Sequence, residues 1–303
     1  MSADSKSDTV EDLRLTGAAA GPSRVLFGVD VAGQTHTGKV RTNNEDHFHV
    51  VQFGRYLRTL ASSLPPGDVP EEAGEPGYGY AVADGIGGHA AGEVASRLAI
   101  SLLVECVLQT PDWVLGHDDH LLAKVLDRFA ERFRTVSLAL QTRAEGDPLL
   151  RGMGTTLSVA ASLGRDLFVT HVGDSAVFLY RAGHLHRLTR DHTASQLRPD
   201  AEAPNGARFR RVLTRAIGLA QTKDEPDLDH YTLADGDRLM LCTDGLTDMV
   251  GVDTIARELE RAPTAAAACQ SLVELALDRG GRDNVTAVVA TYCLPDASPG
   301  PAA

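Results

Sequence analysis

The sequence predicts an α+β fold, with antiparallel sheets and helices packed outside them. Two observations carry this. Alternating, β-branched apolar runs follow one another in hairpin-like succession between Thr156 and Leu188, and long amphipathic stretches come in pairs. Element order alone leaves a doubly wound parallel sheet open as the alternative.

Taken in order, strands are expected at Leu26–Val31, Phe48–Phe53, Tyr80–Ala83, Thr156–Ser162, Leu167–His171, Ala176–Arg181, Arg238–Cys242 and Val285–Tyr292. A helix over Ala91–Gln109 places Val94, Leu98, Leu102 and Val107 near one face. A second, over His120–Arg143, does the same with Leu122, Val125, Phe129, Phe133, Val136 and Leu140. A last helical pair covers Asp253–Arg261 and Thr264–Arg279. The polar stretch from Met1 to Pro22 and the tail over residues 295–303 read as disordered, leaving one domain over residues 23–294. Within it, residues 60–79 are rich in Pro, Gly and Glu and read as an inserted loop.

Composition narrows the function. The chain has 303 residues and is 43% hydrophobic, enough for a substantial core. Asp plus Glu number 41 against 29 Lys plus Arg, a net charge of −12, which disfavours a nucleic-acid binder because phosphate backbones are held by surplus basic residues. No apolar run has the length of a membrane span, and the start lacks the basic and apolar pattern of a secretory signal. The four cysteines are scattered, with no C-x-x-C pair, which fits a reducing cytoplasm and gives no zinc or dithiol motif. The −12 charge argues for solubility alone. A monomer is the expectation, independent of the charge.

Five short segments set an acid beside Gly or Asn at the edge of an apolar run: Asn44-Glu45-Asp46, Ala83-Asp84-Gly85, Gly173-Asp174-Ser175, Thr243-Asp244-Gly245 and Arg282-Asp283-Asn284. Each alone reads as a turn. Together they place several carboxylates near one another if their strands are neighbours. Crowded carboxylates raise one another's pKa, and a divalent cation relieves them; oxygen ligands suit Mg²⁺ or Mn²⁺. Two such ions about 3.5–4 Å apart can activate a shared water and clamp a phosphoryl oxygen. Arg41, five residues before Asp46, offers a guanidinium for phosphate oxygens.

The segments Arg41–Phe48, Ala83–His89, Gly152–Thr156, His171–Ser175, Leu213–Gly218, Leu241–Gly245 and Gly281–Thr286, in that order, resemble the metal-dependent serine/threonine protein phosphatases of the PP2C (PPM) family in their bacterial form. The resemblance implies two antiparallel sheets packed face to face, with helices on both outer faces and a metal centre at one end. It implies Asp84 bridging two Mn²⁺ or Mg²⁺ ions, the Gly85 carbonyl on one of them, and Asp244 and Asp283 on the other. Asp46 and Glu45 stand near the ions, Arg41 on the substrate phosphate, and His89 as a proton donor to the leaving alkoxide. The implied reaction is hydrolysis of phosphoserine and phosphothreonine on proteins by a hydroxide between the ions, reversing bacterial Ser/Thr kinases. The rival reading is a catalytically weak or inactive regulatory protein of the same fold.

The chain departs from the family pattern in several places. Ala176 stands where Arg usually follows the Gly-Asp-Ser segment. Leu149, Leu150 and Arg151 occupy the approach to Gly152, where relatives carry an acid for a third ion; only Asp147 is near, with Asp191 and Asp248 available elsewhere. The segment between Asp191 and Leu213 is short and rich in Arg (Arg198, Arg208, Arg210, Arg211).

Overall fold

The computed structural model describes residues 28–65, 68–87, 90–110, 119–197, 212–219, 222 and 224–294. Both expected tails, His89 and the four arginines of the 191–213 segment lie outside these residues.

Eleven strands among the described residues form two antiparallel sheets. The first contains β1 (Gly28–His36), β11 (Val285–Cys293), β10 (Arg238–Cys242), β7 (Ala176–Arg181) and β8 (His184–Arg187), in that spatial order. The second runs β2 (Asp46–Arg58), β3 (Glu72–Ile86), β5 (Leu157–Leu163), β6 (Asp166–Val172) and β9 (Asp227–Thr232), with the short β4 (Gly154–Thr155) beside the end of β3. Helices α1 (Ala90–Gln109) and α2 (Asp119–Gly146) cover one sheet; α3 (Val252–Arg261) and α4 (Ala265–Asp278) cover the other.

Side-chain alternation builds the four layers directly. On β3, Tyr80 and Val82 turn towards the opposite sheet, while Ala81 and Ala83 turn towards α1 and α2. On β10, Leu239 and Leu241 face between the sheets and Met240 and Cys242 face α3 and α4. A strand buried on both faces has no polar side, which explains the near-continuous apolar runs. Each large side chain so buried contributes about 1.5–3 kcal/mol. Between the sheets, Tyr292 donates its hydroxyl to Tyr80 Oη (3.0 Å) and lies 3.1 Å from Ser162 Oγ, satisfying polar groups that burial would otherwise strand.

The expected αββα arrangement and the predicted strands are present, that of Leu26–Val31 from Gly28 onward, its first two residues lying outside the described residues. Three details differ. The α1 face against the sheet is the stripe Ala91, Ala95, Ala99 and Leu103, with Val94, Leu98 and Leu102 only partly buried; small residues let the helix sit close over Ala81 and Ala83. The region expected as loop through residue 79 is strand from Glu72 onward, paired with β2 from Arg58↔Glu72 to Asp46↔Asp84. Pro76 is tolerated because β5 reaches only to Gly77, so the outer part of β3 is paired on one side. Strands β8 and β9 were not expected, since both are short, mixed-polarity edge strands.

Candidate metal centre

The register of the β2–β3 hairpin sets Asp46 directly opposite Asp84. The other sheet delivers its acids from strand ends. Asp244 opens the helical turn Asp244–Thr247 just after β10, and Asp283 precedes β11. Asp174 lies in the turn between β6 and β7, which passes from one sheet to the other. Four of the five acidic segments thus meet Asp84 electrostatically: its carboxyl is held well above the ordinary range, first by burial, then by Asp46, Asp244, Asp174 and Asp283. Asp244 is likewise pushed up by burial, then by Asp174, Asp248, Asp283 and Asp46. Asp174 is raised to about 6, chiefly by burial and by Asp191.

Hydroxyl groups from the same motifs hold these acids in place. Asp46 is 3% exposed, and its Oδ2 accepts from Thr243 Oγ1 (2.8 Å) and Thr286 Oγ1 (2.7 Å). Its Oδ1 is buried with no hydrogen-bond partner. Burial raises Asp46 to about 7 despite those two hydroxyls. Asp84 is fixed through its backbone: its N–H donates to Thr156 Oγ1 (2.9 Å), and its carbonyl accepts from Thr156 N (2.9 Å) and Thr155 Oγ1 (2.8 Å). Asn284 ties the loop of residues 37–45 to β11: its amide donates to the carbonyls of Thr37 (2.9 Å) and Asn43 (2.8 Å), and its Oδ1 accepts from Glu45 N (2.8 Å). Gly85 N donates to Glu45 O (3.1 Å). A Cβ on Gly85 would stand 2.2 Å from Gly92 O, so only glycine lets α1 approach the end of β3.

Arg41 is exposed and donates to Asp283 Oδ2 at 2.7 Å. Beside the acids lies a cavity of about 270 Å³ lined by Asp174, Asp191, Thr193, Ser195, Asp244, Thr247 and Asp248.

The donor set fits hard divalent cations. Several carboxylates raise one another's pKa, and among the described residues one buried carboxylate oxygen, Asp46 Oδ1, lacks any hydrogen-bond partner. Among the described residues no three acid, imidazole or thiol groups already close on one point.

Of the residues expected at the site, Arg41, Glu45, Asp46, Asp84, Gly85, Asp244 and Asp283 are brought to one end of the sandwich; His89 lies outside the described residues. Asp147 is engaged elsewhere, its Oδ1 accepting from Leu149 N (3.0 Å) at the start of the 3₁₀ turn Pro148–Leu150. Asp191 pairs with Arg187. Thr156, Thr243, Thr286 and Asn284 have no role in the sequence reading; the last three lie within or beside an acidic motif, where a flanking hydroxyl or amide is a readable signal, whereas Thr156 lies in the Gly152–Thr156 segment, away from any acid.

Comparison with known proteins places this geometry. Residues 72–278 match the family model for protein phosphatase 2C. The chain is 35% identical over 273 residues to the serine/threonine protein phosphatase PstP of Mycobacterium tuberculosis, covering 88% of this chain and 46% of that protein, so it spans about half of that relative's length. It is 30% identical over 280 residues to the protein phosphatase PhpP of Streptococcus pneumoniae, covering 89% of this chain and all of that one. The crystal structure of PstP superposes with a TM-score of 0.67 at 35% identity, over 87% of this chain and 98% of that one. The PstP catalytic domain in complex with two manganese ions gives the same TM-score at 34% identity, over 88% and 100% of the two chains. With the family model covering more than half of the chain, including strands of both sheets and three of the five acidic motifs, and relatives at 30–35% identity matched over most of it, this chain belongs to the protein phosphatase 2C family.

Proposed function

We propose that this protein is a metal-dependent phosphatase that hydrolyses phosphoserine and phosphothreonine on proteins, opposing bacterial Ser/Thr kinases. The observation that carries this is the cluster of Asp46, Asp84, Asp244 and Asp283, drawn from both sheets, with Asp46 Oδ1 buried and, among the described residues, without a hydrogen-bond partner. The manganese-bound PstP relative supports a two-ion centre.

Asp84 and the Gly85 carbonyl would hold one ion, with Asp84 shared to a second ion held by Asp244 and Asp283. Asp46 and Glu45 would stand close by, partly through water. When bound, two divalent ions supply an activated water and Lewis-acid stabilisation of phosphoryl oxygens. The chain's own residues orient the chemistry. Thr243 and Thr286 fix the Asp46 carboxylate with one oxygen aimed away from them. Thr155 and Thr156 hold the Asp84 backbone, so its carboxylate is presented from a rigid strand end. Arg41, exposed and in contact with Asp283, would take phosphate oxygens in a bidentate fork. The −12 charge does not oppose an anionic substrate, since bound cations set the local field. With Asp147 engaged as a cap and Asp191 paired to Arg187, a third ion is expected to bind weakly or not at all.

The deciding measurement is hydrolysis of a phosphothreonine peptide with Mn²⁺ and then with excess chelator. Turnover is expected to require the metal, and Asp84→Asn is expected to lower it at least about 10³-fold, alongside loss of Mn²⁺ uptake in a calorimetric titration. Full turnover in chelator, or in the Asp84→Asn variant, would exclude the mechanism.

A further inference from the structure

Two buried histidines grip the turn that carries Asp174. His171 Nε2 lies 3.0 Å from the Gly173 carbonyl and 3.1 Å from the Arg190 carbonyl. Two acceptors require a donor, so the proton is on Nε2, and Nδ1 accepts from Ser158 Oγ (2.8 Å). His192 takes the other side. Its backbone N–H donates to Gly173 O (2.7 Å), and its Nδ1 accepts the Gly173 N–H (3.2 Å). That places the His192 proton on Nε2, which donates to Asp227 Oδ2 at 3.2 Å. Arg215 donates to the other Asp227 oxygen at 2.7 Å, and Arg190 lies 3.5 Å from Oδ2. The Arg215 guanidinium, 3.4 Å from Nε2, cannot hydrogen-bond a protonated ring nitrogen, so both donors converge on Asp227.

The same residue anchors the next segment. The His192 carbonyl accepts from Thr214 N (2.8 Å), and Ala194 N donates to Val212 O (2.8 Å), closing the two ends of the 191–213 segment together. Thr193 and Ser195, which follow His192, line the acid-walled cavity with Asp174. Gly173 itself has φ +119°, and a Cβ there would meet Thr156 Cγ2 at 2.5 Å, so the turn requires glycine, whose backbone freedom makes the anchoring hydrogen bonds matter. Burial holds both imidazoles below the usual histidine range, His171 down to about 3, in keeping with neutral rings acting as fixed hydrogen-bonding groups.

We propose that His192 is a positioning residue for the metal centre: oriented by Asp227, its Nδ1 accepts the Gly173 N–H and so holds Asp174 against Asp244 and Asp84. This rests on the two-ion reading above. Asp174 and Asp244 line the same cavity, so a turn that relaxes withdraws a carboxylate from beside the place a cation would occupy. The residue needs no contact with substrate or ion to do this.

The test is calorimetric titration of metal-free protein with Mn²⁺, read beside peptide kinetics. His192→Ala is expected to weaken Mn²⁺ binding about tenfold, the scale of lost outer contacts around metal ligands. Saturating Mn²⁺ is expected to restore kcat, with KM for the phosphopeptide unchanged. His192→Asn keeps an acceptor at the δ position and is expected to bind Mn²⁺ within about twofold of wild type, which a purely bulk-packing role would not produce. Wild-type affinity in His192→Ala, or an equal loss in His192→Asn, would overturn the proposal. Should His192→Ala fail to fold, Asp227→Ala takes its place: several-fold weaker binding supports the proposal and unchanged binding overturns it. Absence of Mn²⁺ uptake by the wild type, or uptake unaffected by Asp84→Asn, would instead remove the two-ion premise.

Discussion

Asp237 and Asp46 are buried almost equally, at 1% and 3% exposure, yet their surroundings are opposite. Asp237 precedes β10 and receives the Arg181 guanidinium in a fork (2.8 Å to Oδ1, 2.5 Å to Oδ2) together with Ala234 N (2.8 Å). Arg181 also donates to Thr232 O (2.7 Å), so the pair knits three chain segments. Asp46 meets the chain at the other end of β10, where Thr243 reaches it, and it receives only two neutral hydroxyls. One end of the sandwich neutralises its own buried charge; the other leaves it for a ligand. A fold can therefore hide equal acids for unlike reasons, and the partner of each acid tells which reason applies.

Removing Arg181 should turn the first end into a copy of the second. Arg181→Ala leaves Asp237 buried and uncompensated, and is expected to cost about 3–5 kcal/mol in denaturant unfolding. Mn²⁺ affinity should change little. A variant as stable as wild type would erase the contrast.

The converse change acts at Asp46. Its folded pKa of about 7 lies above the ordinary carboxylate value, so between about pH 4 and pH 7 the folded state keeps a proton that the unfolded chain has released. The Asp46 contribution to metal-free stability is therefore full at the acid end and is lost as pH rises through 7. Asp46→Asn removes this loss. Thermal melting of metal-free protein should show the variant gaining on wild type from about pH 5 to pH 8, by on the order of 2 kcal/mol, while Mn²⁺-dependent turnover falls. A constant difference across that range would mean that Asp46 is already compensated.

Arg41 sharpens the contrast with the smallest effect. It forms the same kind of pair as Arg181, but its side chain is 54% exposed. Arg41→Ala should change stability by less than about 1 kcal/mol, because exposed pairs contribute little. KM for a phosphopeptide should rise about tenfold, with kcat less affected, if the guanidinium binds phosphate. An unchanged KM would assign it to the Asp283 contact alone.

Most of the fold was legible because its strands are buried on two faces: runs such as Val285–Tyr292 and Arg238–Cys242 have no other use. The outer part of β3 was hidden by its Pro and Gly, whose weakness as strand formers is offset by thirteen residues of pairing with β2. Strand β9 was hidden because Asp227 and His230 serve side-chain partners, Arg215 and Asp166, and break the apolar alternation. At the site, acids next to Gly and Asn were readable in the sequence, since their spacing survives without the fold. The positions of His192 and Asp227 were not. Their meaning depends on a meeting between segments 35 residues apart that no local pattern records.

The acids of the metal centre are divided between the sheets: Asp46 and Asp84 belong to one, Asp244 and Asp283 to the other. Any ion shared among them works as a rivet through the sandwich. It rewards only the state in which the two sheets have docked in register, and gives nothing to a chain that has formed either sheet alone. At a hundredfold excess over its dissociation constant, such an ion would add about 2.7 kcal/mol to the assembled form. On the proposed function, metal supply would then set the stability of the closed sandwich as well as turnover.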